Sequence, residues 1–391
     1  MVGLRPLPLR GRVQHYDWGS PTAIPELLGQ PPDGQPWAEL WLGAHPAAPA
    51  DVLVGGAWLP LDGVIAADPA PLLGPACLDH FGPHLPFLVK VLAAARPLSL
   101  QVHPSPAQAV EGFAREEAAG IPRHAPDRTY RDPWHKPELL CARTPFRALS
   151  GFRGAEEAAD VLDAFGLDQL AKRARADGLA AAFWALWDVP PRHRGRLVDA
   201  AAEAAAARPS GLAAEADLVA RLAALHPEDV GVVAALLLNL VLLAPGEAIY
   251  ARAGRLHAYV EGVGVEIMAT SDNVVRGGLT SKHVHVEELR RILRVEPEEV
   301  VPQAETADGW PTPAPEFHLS RLAPGERAEV HGPEVLLSLD GPAEVAGARV
   351  EHGGALFVPA ALGAYDVDSG APLYRCRAGL VAQEQLPGRR P

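Results

Sequence analysis

Cysteine is scarce in this chain of 391 residues. The three cysteines, Cys77, Cys141 and Cys376, lie far apart and form no CxxC pair. Distant thiols in odd number argue against a disulfide framework and a cysteine zinc site, and a reducing cytoplasm is the expected location. Long apolar runs are also missing, because the most apolar stretch, Val230 to Ala244, is shorter than the roughly 20 residues that cross a bilayer. We interpret that stretch as a buried helix running into a strand.

Positive charge is in deficit, with 35 Lys and Arg against 48 Asp and Glu and a formal net charge of -13. Nucleic acids and anionic membranes require clustered lysine and arginine, so neither is expected as a partner. A local basic pocket can still bind a small anion. Apolar residues make up 48% of the chain, which is typical of a globular protein, and the length predicts two or three compact units.

The pattern of apolar residues, proline and glycine changes along the chain. Short apolar runs broken by proline and glycine predict β-structure at the start, interrupted by one helix that begins at Pro106 after the cap Ser105 and ends at Gly120. An alanine-rich part with helical spacing follows, and β-texture then returns. The proline-rich stretch from Gly309 to Phe317 is interpreted as a linker. We therefore predict a mainly β fold with an α-helical insert, divided into residues 1–153, 154–240, 241–308 and 309–391.

The segment LSLQVHPS, which begins at Leu98, alternates apolar and polar residues. In a strand, this period of two puts the leucines and the valine on one face and Ser99, Gln101 and His103 on the other. The apolar face is expected to pack in the core and the polar face to hold a ligand. Gln101 and His103 are close enough to share a metal ion.

Two other segments supply candidate metal ligands. In HKPELL, Pro137 favours an extended backbone, which puts Lys136 and Glu138 on one face. His257 ends the segment GEAIYARAGRLH, whose spacing follows the second motif of the cupin barrel, a small double-stranded β-helix, except for its proline. Nitrogen and oxygen ligands of these types suit zinc, with manganese, iron or cobalt as alternatives. Glu266, on the alternating strand VGVEIMA, is the rival of Glu138, with a structural role as its other interpretation.

Six segments follow one another along nearly the whole chain: QHYDWGS, LSLQVHPS, HKPELL, ALSGF, PGEAIYARAGRLHAYVEG and MATSDNVVRGGLTSKHV. Together they resemble the type I mannose-6-phosphate isomerase family, zinc enzymes of the cupin superfamily. The resemblance implies two cupin jelly-roll units, the second of them without metal ligands, and a helical domain. It also implies one zinc ion per chain, held by the same four side chains that the facing of the segments indicates: Gln101, His103, Glu138 and His257.

This resemblance implies interconversion of mannose 6-phosphate and fructose 6-phosphate through an enediol, by a monomer whose partner is the small sugar phosphate. Arg276 matches the catalytic arginine of the family, and its permanent charge is suited to stabilise an enediolate. Lys136 is the candidate for the proton shuttle, and His135 and Asp272 are the candidates for ring opening. The resemblance implies that Ser99, Lys90 and Lys282 bind the phosphate group of the substrate.

Several alternatives stay open. The chain can be an isomerase of unphosphorylated aldoses, a non-catalytic cupin that binds sugar phosphates, or a metal-dependent oxygenase on the same barrel, although the usual facial triad of an oxygenase leaves more open positions. Simple binding does not require Lys136 and Arg276, which disfavours the second alternative. Each polar candidate also has a structural interpretation. Lys90 in particular lies inside the apolar run FLVKVL, where burial demands a partner.

Overall fold

The structure is a computed structural model that describes residues 5–380. Antiparallel β-sheets and helices make up the fold, as the change in residue pattern along the sequence predicts. The strands of the described chain are β1 Leu7–Arg10, β2 Arg12–Gln14, β3 Glu39–Gly43, β4 Asp51–Val54, β5 Ala57–Pro60, β6 Phe87–Ala94, β7 Gln101–Val102, β8 Glu138–Ala142, β9 Phe146–Phe152, β10 Leu238–Leu243, β11 Ala248–Ala251, β12 His257–Ala269, β13 Val275–Arg276, β14 His318–Leu322, β15 Arg327–Glu329, β16 Glu334–Leu337, β17 Ala343–Val345, β18 Ala348–Val350, β19 Ala355–Val358, β20 Ala364–Ser369 and β21 Leu373–Arg377.

Helices cluster between β9 and β10, where the alanine-rich sequence predicts them. The α-helices are α1 Ala23–Leu27, α2 Leu61–Ala67, α3 Pro69–Leu73, α4 Pro75–Phe81, α5 Pro106–Ala118, α6 Ala155–Ala164, α7 Asp168–Asp177, α8 Leu179–Asp188, α9 Pro191–Ala206, α10 Ala213–Leu225, α11 Gly231–Ala234 and α12 Val286–Ile292, with 3-10 turns at Ala235–Leu237 and Ala360–Leu362. The predicted cap of α5 is confirmed, since Ser105 and Gln108 form a reciprocal capping box. The apolar stretch before Pro245 is, as predicted, a short buried helix that runs into a strand.

Three antiparallel sheets carry the architecture. A seven-stranded sheet has the order β14-β21-β16-β19-β1-β4-β5, and a four-stranded sheet has the order β15-β20-β17-β18. In the ten-stranded sheet, the 13-residue strand β12 pairs with β6, β7, β8 and β9, and so acts as its hub. The sheet therefore gathers strands from both sides of the helical segment around one long strand.

The facing predicted for LSLQVHPS agrees with the burial of its residues. Leu98, Leu100 and Val102 are buried at 8%, 0% and 0% exposure, and the last two pack in the cluster that also contains the helical core. The regular strand is shorter than predicted, because β7 covers only two residues. Before β7, Leu98 and Leu100 instead donate backbone hydrogen bonds to the carbonyls of Tyr259 and Gly278.

The proline-rich stretch predicted to be a linker is part of the core. Trp310 and Phe317 are both fully buried, and the indole nitrogen of Trp310 donates to the carbonyl of Gly246 at 3.0 Å. Prolines remove backbone donors and prevent a regular strand here, but the two aromatic side chains fill space under the sheets. The segment joins the last β-strands to the rest of the molecule by packing.

Cys77, Cys141 and Cys376 are buried free thiols. Between residues 5 and 380, no helix is long and apolar enough to span a membrane.

Candidate metal centre

Three buried side chains converge at one point on the ten-stranded sheet. His103, Glu138 and His257 each offer a ligand atom, and these atoms all lie within 4.8 Å of one another. Nε2 of His103 lies 3.4 Å from Oε2 of Glu138, and Nε2 of His257 lies 3.3 Å from the same oxygen. Such a convergence of imidazole and carboxylate is what a single divalent cation requires.

Strand register brings these residues together. His257 is the first residue of β12 and stands opposite Gln101 of β7. Glu138 is the first residue of β8, which pairs with β12 further along. His103 follows directly after β7, and its carbonyl accepts a hydrogen bond from the backbone N–H of Gly254 at 2.9 Å. Segments that are distant in sequence therefore all pair with, or lie beside, β12.

Both histidines are held in the tautomer that suits a metal ligand. Nδ1 of His103 lies 2.9 Å from the carbonyl oxygen of Asn273, and Nδ1 of His257 lies 3.1 Å from that of Arg255. A carbonyl only accepts, so each Nδ1 carries the proton and each Nε2 presents a lone pair. Nε2 of His103 is buried and has no hydrogen-bond partner among the described residues. This unsatisfied nitrogen, beside a carboxylate and a second imidazole, fits a zinc ion.

The protonation states in the cluster favour metal binding. Burial lowers the pKa of His103 to about 4, against the opposing effect of Glu138. Burial alone would raise the pKa of Glu138, but Lys136, His103 and His257 hold that pKa well below its usual range. Nζ of Lys136 lies 2.7 Å from Oε1 of Glu138. Neutral imidazole and ionised carboxylate are the forms that ligate a metal at neutral pH.

The fourth predicted ligand, Gln101, lies in a row of residues that crosses four strands. It stands opposite His257 of β12 on one side and opposite Arg276 of β13 on the other. His257 in turn stands opposite Ser150 of β9. Residues directly opposite in antiparallel strands point to the same face, so Gln101 and Arg276 flank the metal cluster. Ser150, which belongs to the ALSGF segment, has a buried hydroxyl without a hydrogen-bond partner in the described chain.

Asn273, which no sequence pattern singled out, ties the cluster to a neighbouring loop. Its Oδ1 accepts a hydrogen bond from the backbone N–H of Arg131 at 2.8 Å. Its Nδ2 donates to the carbonyl oxygens of Asp132 and Trp134 at 2.7 and 2.8 Å. Because its own carbonyl orients His103, one fully buried asparagine fixes both a metal ligand and the loop.

Asp272 is paired with His45, a second residue that the sequence reasoning missed. Nε2 of His45 lies 3.5 Å from Oδ1 of Asp272, while Nδ1 accepts a hydrogen bond from the N–H of Ala47 at 3.2 Å. The proton of His45 is therefore on Nε2, facing the carboxylate. Burial alone would raise the pKa of Asp272, but the hydrogen bond from His45 and the charges of Lys136 and Arg131 hold that pKa below its usual range.

His135 lies on the opposite face of its segment. Lys136 and Glu138 point toward the cluster, and in an extended backbone the residue before them points the other way. Nε2 of His135 lies 2.6 Å from Oε1 of Glu316, in the proline-rich stretch before β14. The structure thus brings Lys136 to the metal cluster and ties His135 to a different part of the molecule.

Lys90 is buried among carboxylates. Its Nζ lies 2.9 Å from Oε2 of Glu266 and 3.4 Å from Oε1 of Glu39. Trp41 donates its indole N–H to Oε2 of Glu39 at 2.6 Å, and its ring lies 5.5 Å from the ammonium of Lys90. Burial alone would lower the pKa of Lys90, but Glu266, Glu39 and Glu138 raise it, so the lysine is charged. The expected partner of Lys90 is present, and Glu266 pairs with this lysine and does not join the three clustered ligands.

The other two predicted phosphate contacts lie at more open positions. Ser99 is half-buried and precedes Gln101 on the polar face of its segment. Lys282 is exposed in the loop between β13 and α12. Partial burial and the positive charges of Arg276 and Arg131 lower the pKa of Lys282, with Asp17 acting in the opposite direction. An acidic protein thus gathers several cations beside its metal cluster.

Comparisons with known proteins agree on one family. Residues 7–155 match the catalytic domain of phosphomannose isomerase type I. The mannose-6-phosphate isomerase of Escherichia coli is 42% identical over 284 residues, which cover 71% of this chain and 72% of that protein. The human mannose-6-phosphate isomerase is 34% identical over 326 residues, which cover 76% of this chain and 75% of that protein.

Solved structures extend the similarity to the whole fold. A mannose 6-phosphate isomerase from Salmonella typhimurium, bound to substrate and zinc, has a TM-score of 0.88 and 33% identity, and the match covers 95% of this chain and 99% of that one. A zinc-bound mannose 6-phosphate isomerase matches with a TM-score of 0.88, 34% identity and the same coverage. The resemblance carried by the six segments is confirmed, and the chain belongs to the type I mannose-6-phosphate isomerase family.

Proposed function

We propose that this chain is a zinc-dependent isomerase that interconverts mannose 6-phosphate and fructose 6-phosphate. The observation that carries the proposal is the buried cluster of His103, Glu138 and His257, whose ligand atoms lie within 4.8 Å of one another. Membership of the family and the zinc in related structures agree with it. The two roles that the chemistry needs, an electrophilic centre and a cation for developing negative charge, are then both present at one face of the sheet.

Gln101, His103, Glu138 and His257 are the four residues that would hold the zinc ion. Only one of the four carries charge, because glutamine is neutral and both histidines present an unprotonated Nε2. Zinc bound by such a set acts as a Lewis acid toward a carbonyl oxygen of the open-chain sugar. Lys136 holds the carboxylate of Glu138 from the other side at 2.7 Å, which fixes its orientation.

The remaining steps fall to side chains around the cluster. Arg276 stands one strand away from Gln101, where its guanidinium can stabilise the negative charge of the enediolate. Lys136, buried beside Glu138, is our candidate for the group that takes the proton from one sugar carbon and returns it to the next. For ring opening we keep Asp272 and His135 as candidates. Contacts favour Asp272, which feels the charge of Lys136, over His135, which is held by Glu316.

Substrate phosphate is proposed to bind at the open, cationic side of the site. Ser99 offers a hydroxyl and Lys282 a charge, while Lys90 is paired with Glu266 and Glu39. We therefore infer that Lys90 contributes through the electrostatics of the interior more than through contact with phosphate.

We further infer that the β-strands form two cupin jelly rolls, as the family resemblance implies. The first would comprise residues 1–153 and 241–308, with residues 154–240 as a helical domain and residues 309–391 as a second barrel that lacks metal ligands. The helices α6–α10 within the second range and the hub strand β12 within the third support this division, whereas β1, β4 and β5 of the first range pair in the sheet of the last strands. The chain ends, residues 1–4 and 381–391, lie outside the described residues.

Location and assembly are also proposals. Free buried thiols agree with a reducing cytoplasm. All proposed metal ligands come from one chain, so a monomer can carry the complete metal site.

A coupled assay of the purified chain with mannose 6-phosphate, before and after chelation and with measured zinc content, tests the proposal. We expect turnover that is lost with the metal and restored by zinc. Equal turnover of mannose would favour the isomerase of unphosphorylated aldoses. Binding of metal and sugar phosphate without turnover would favour the non-catalytic cupin, and metal-independent turnover would remove zinc from the mechanism.

A further inference from the structure

Three cations near the metal cluster form no ion pair in the described chain, although Arg131 interacts electrostatically with Asp272 and Lys282 with Asp17. The side chains of Arg131, Arg276 and Lys282 make no hydrogen bond or ion pair with any residue between 5 and 380, although the chain has 48 acidic residues to offer. Most arginines of this protein do have such partners, for example Arg375 with Glu334. Unpaired positive charges in one region indicate a position where an anion is expected to bind.

Backbone contacts hold Arg131 next to the strand that carries Arg276. The N–H of Arg131 donates to Oδ1 of Asn273 at 2.8 Å, and Asn273 precedes Arg276 by three residues. Asn273 is fully buried, so the start of the loop at Arg131 has a fixed position. Arg276 itself stands opposite Gln101. The backbone of Arg131 is therefore anchored beside the strand that carries Arg276, and its side chain is exposed.

The three cations interact with one another electrostatically. Burial lowers the pKa of Arg276, and the charge of Arg131 lowers it further. Partial burial, Arg276 and Arg131 lower the pKa of Lys282 in the same way. Mutual repulsion in the free protein is relieved by a bound dianion, which gives the arrangement a binding energy for phosphate that neutral sugars do not share.

Lys90 is one of the expected phosphate contacts, but it is already paired with carboxylates. The family resemblance assigns two lysines to phosphate, but Lys90 is only 5% exposed and lies between two carboxylates. A second available cation beside Lys282 would take the place of Lys90 at the phosphate. Arg131 supplies it, with a planar guanidinium that can bind two phosphate oxygens at once.

We propose that Arg131 is a substrate-binding residue that contacts the phosphate of the sugar together with Lys282, and so sets the preference for phosphorylated over free sugars. The proposal rests on the proposed function for the identity of the sugar. It predicts an anion site that is measurable without turnover, because inorganic phosphate alone can bind to Arg131 and Lys282.

The test compares Arg131→Ala and Arg131→Lys with the zinc-loaded parent chain. Arg173→Ala is the matched control, since Arg173 is an exposed arginine on α7, in the helical segment between β9 and β10. Affinity for inorganic phosphate is measured by titration calorimetry at low salt, and kcat and KM are measured with mannose 6-phosphate. We expect Arg131→Ala to weaken phosphate binding and raise KM by about tenfold, with kcat changed less than about threefold. Arg131→Lys should recover part of the loss, and the control should match the parent.

Other outcomes overturn the proposal. Unchanged phosphate affinity and KM in Arg131→Ala mean that the guanidinium does not touch the anion. A loss of kcat or of zinc content with normal phosphate affinity means that the loop acts only through Asn273 and the metal ligand. If the parent chain binds inorganic phosphate through Arg131 but does not turn over mannose 6-phosphate, the anion site stands and the proposed reaction fails.

Discussion

Val102 and His103 are neighbours in sequence, and their replacement by alanine should have opposite consequences. Val102 is fully buried in the hydrophobic cluster shared with the helical segment, whereas His103 is fully buried at the metal centre. The period of two in the segment LSLQVHPS puts them on opposite faces. Val102→Ala therefore tests the core, and His103→Ala tests the chemistry.

The expected magnitudes follow from the contacts that are lost. Val102→Ala removes two buried methyl groups and leaves a small cavity, which costs about 2 kcal/mol of unfolding free energy. His103→Ala removes one hydrogen bond to the carbonyl of Asn273, worth about 1 kcal/mol, together with a buried nitrogen that has no partner in the described chain. We expect the metal-free stability of His103→Ala to change by about 1 kcal/mol. Loss of one zinc ligand should lower kcat/KM about a thousandfold or more.

Urea unfolding with chelator present measures stability without the contribution of bound metal. Zinc content and the coupled assay then measure the site. Both variants need the same m-value as the parent, so that the midpoints report stability. A His103→Ala variant with full activity and normal zinc content would refute the facing of this segment. A Val102→Ala variant that loses zinc while keeping its stability would refute it equally.

Three further predictions concern supporting groups. Asn273→Ala removes three short side-chain hydrogen bonds to the loop that begins at Arg131. We therefore expect the free energy of unfolding, measured by urea titration, to fall by about 3 kcal/mol. An unchanged urea midpoint would contradict the role of Asn273 as an anchor of this loop. Burial, with the charges of Arg377 and Arg375, lowers the pKa of His318 from 6.5 to about 4, so the unfolded chain takes up this proton first as pH falls. Stability should therefore drop by about 3 kcal/mol at most between pH 6.5 and 4, and His318→Asn should lose that part of the slope in unfolding measured across this range. Chelation should lower the melting temperature as well as abolish activity, and zinc should restore both, whereas an identical melting curve would argue against a metal that bridges three strands.

Local patterns in the sequence predicted much of the fold. The cap at Ser105, the helical spacing after residue 154 and the alternation from Leu98 all depend on neighbours within a few residues. Their physics is therefore present in any short window of sequence. The buried position of Trp310 was not predictable in this way, because prolines around it favour an exposed linker and only distant β-strands create the space that it fills.

The metal cluster could be predicted from the sequence for a different reason. Three short segments each put polar residues on one face, and a family resemblance indicated that those faces meet. Strand register decides whether these faces lie together, and no short window of sequence indicates the register. The pairs Gln101 with His257 and Gln101 with Arg276 become visible only when β7 is seen between β12 and β13. His45 and Asn273 were missed because their importance lies in contacts made across such distances.

Lysine usage holds a signal that the sequence reasoning did not use. The chain has 35 Lys and Arg, of which four are lysines: Lys90, Lys136, Lys172 and Lys282. A chain that uses arginine almost everywhere keeps lysine where a compact ammonium differs in effect from a planar guanidinium. Nζ of Lys90 lies between Glu266 and Glu39, and that of Lys136 lies beside Glu138, both at buried positions. Two of the four lysines thus lie in the interior of the site, whereas Lys172 and Lys282 are exposed.

The alternating directions of side chains along the segment before β8 also distinguish the two candidates for ring opening. The extended backbone that puts Lys136 and Glu138 on the metal face necessarily turns His135 to the other face, where Glu316 receives it. A role for His135 in acid–base chemistry then requires the segment before β8 to twist, which would also displace Glu138. Asp272 needs no such movement, because His45 already holds its carboxylate within electrostatic reach of Lys136. If His135→Ala lowers kcat as strongly as Asp272→Asn while zinc content stays normal, this account of the segment is wrong.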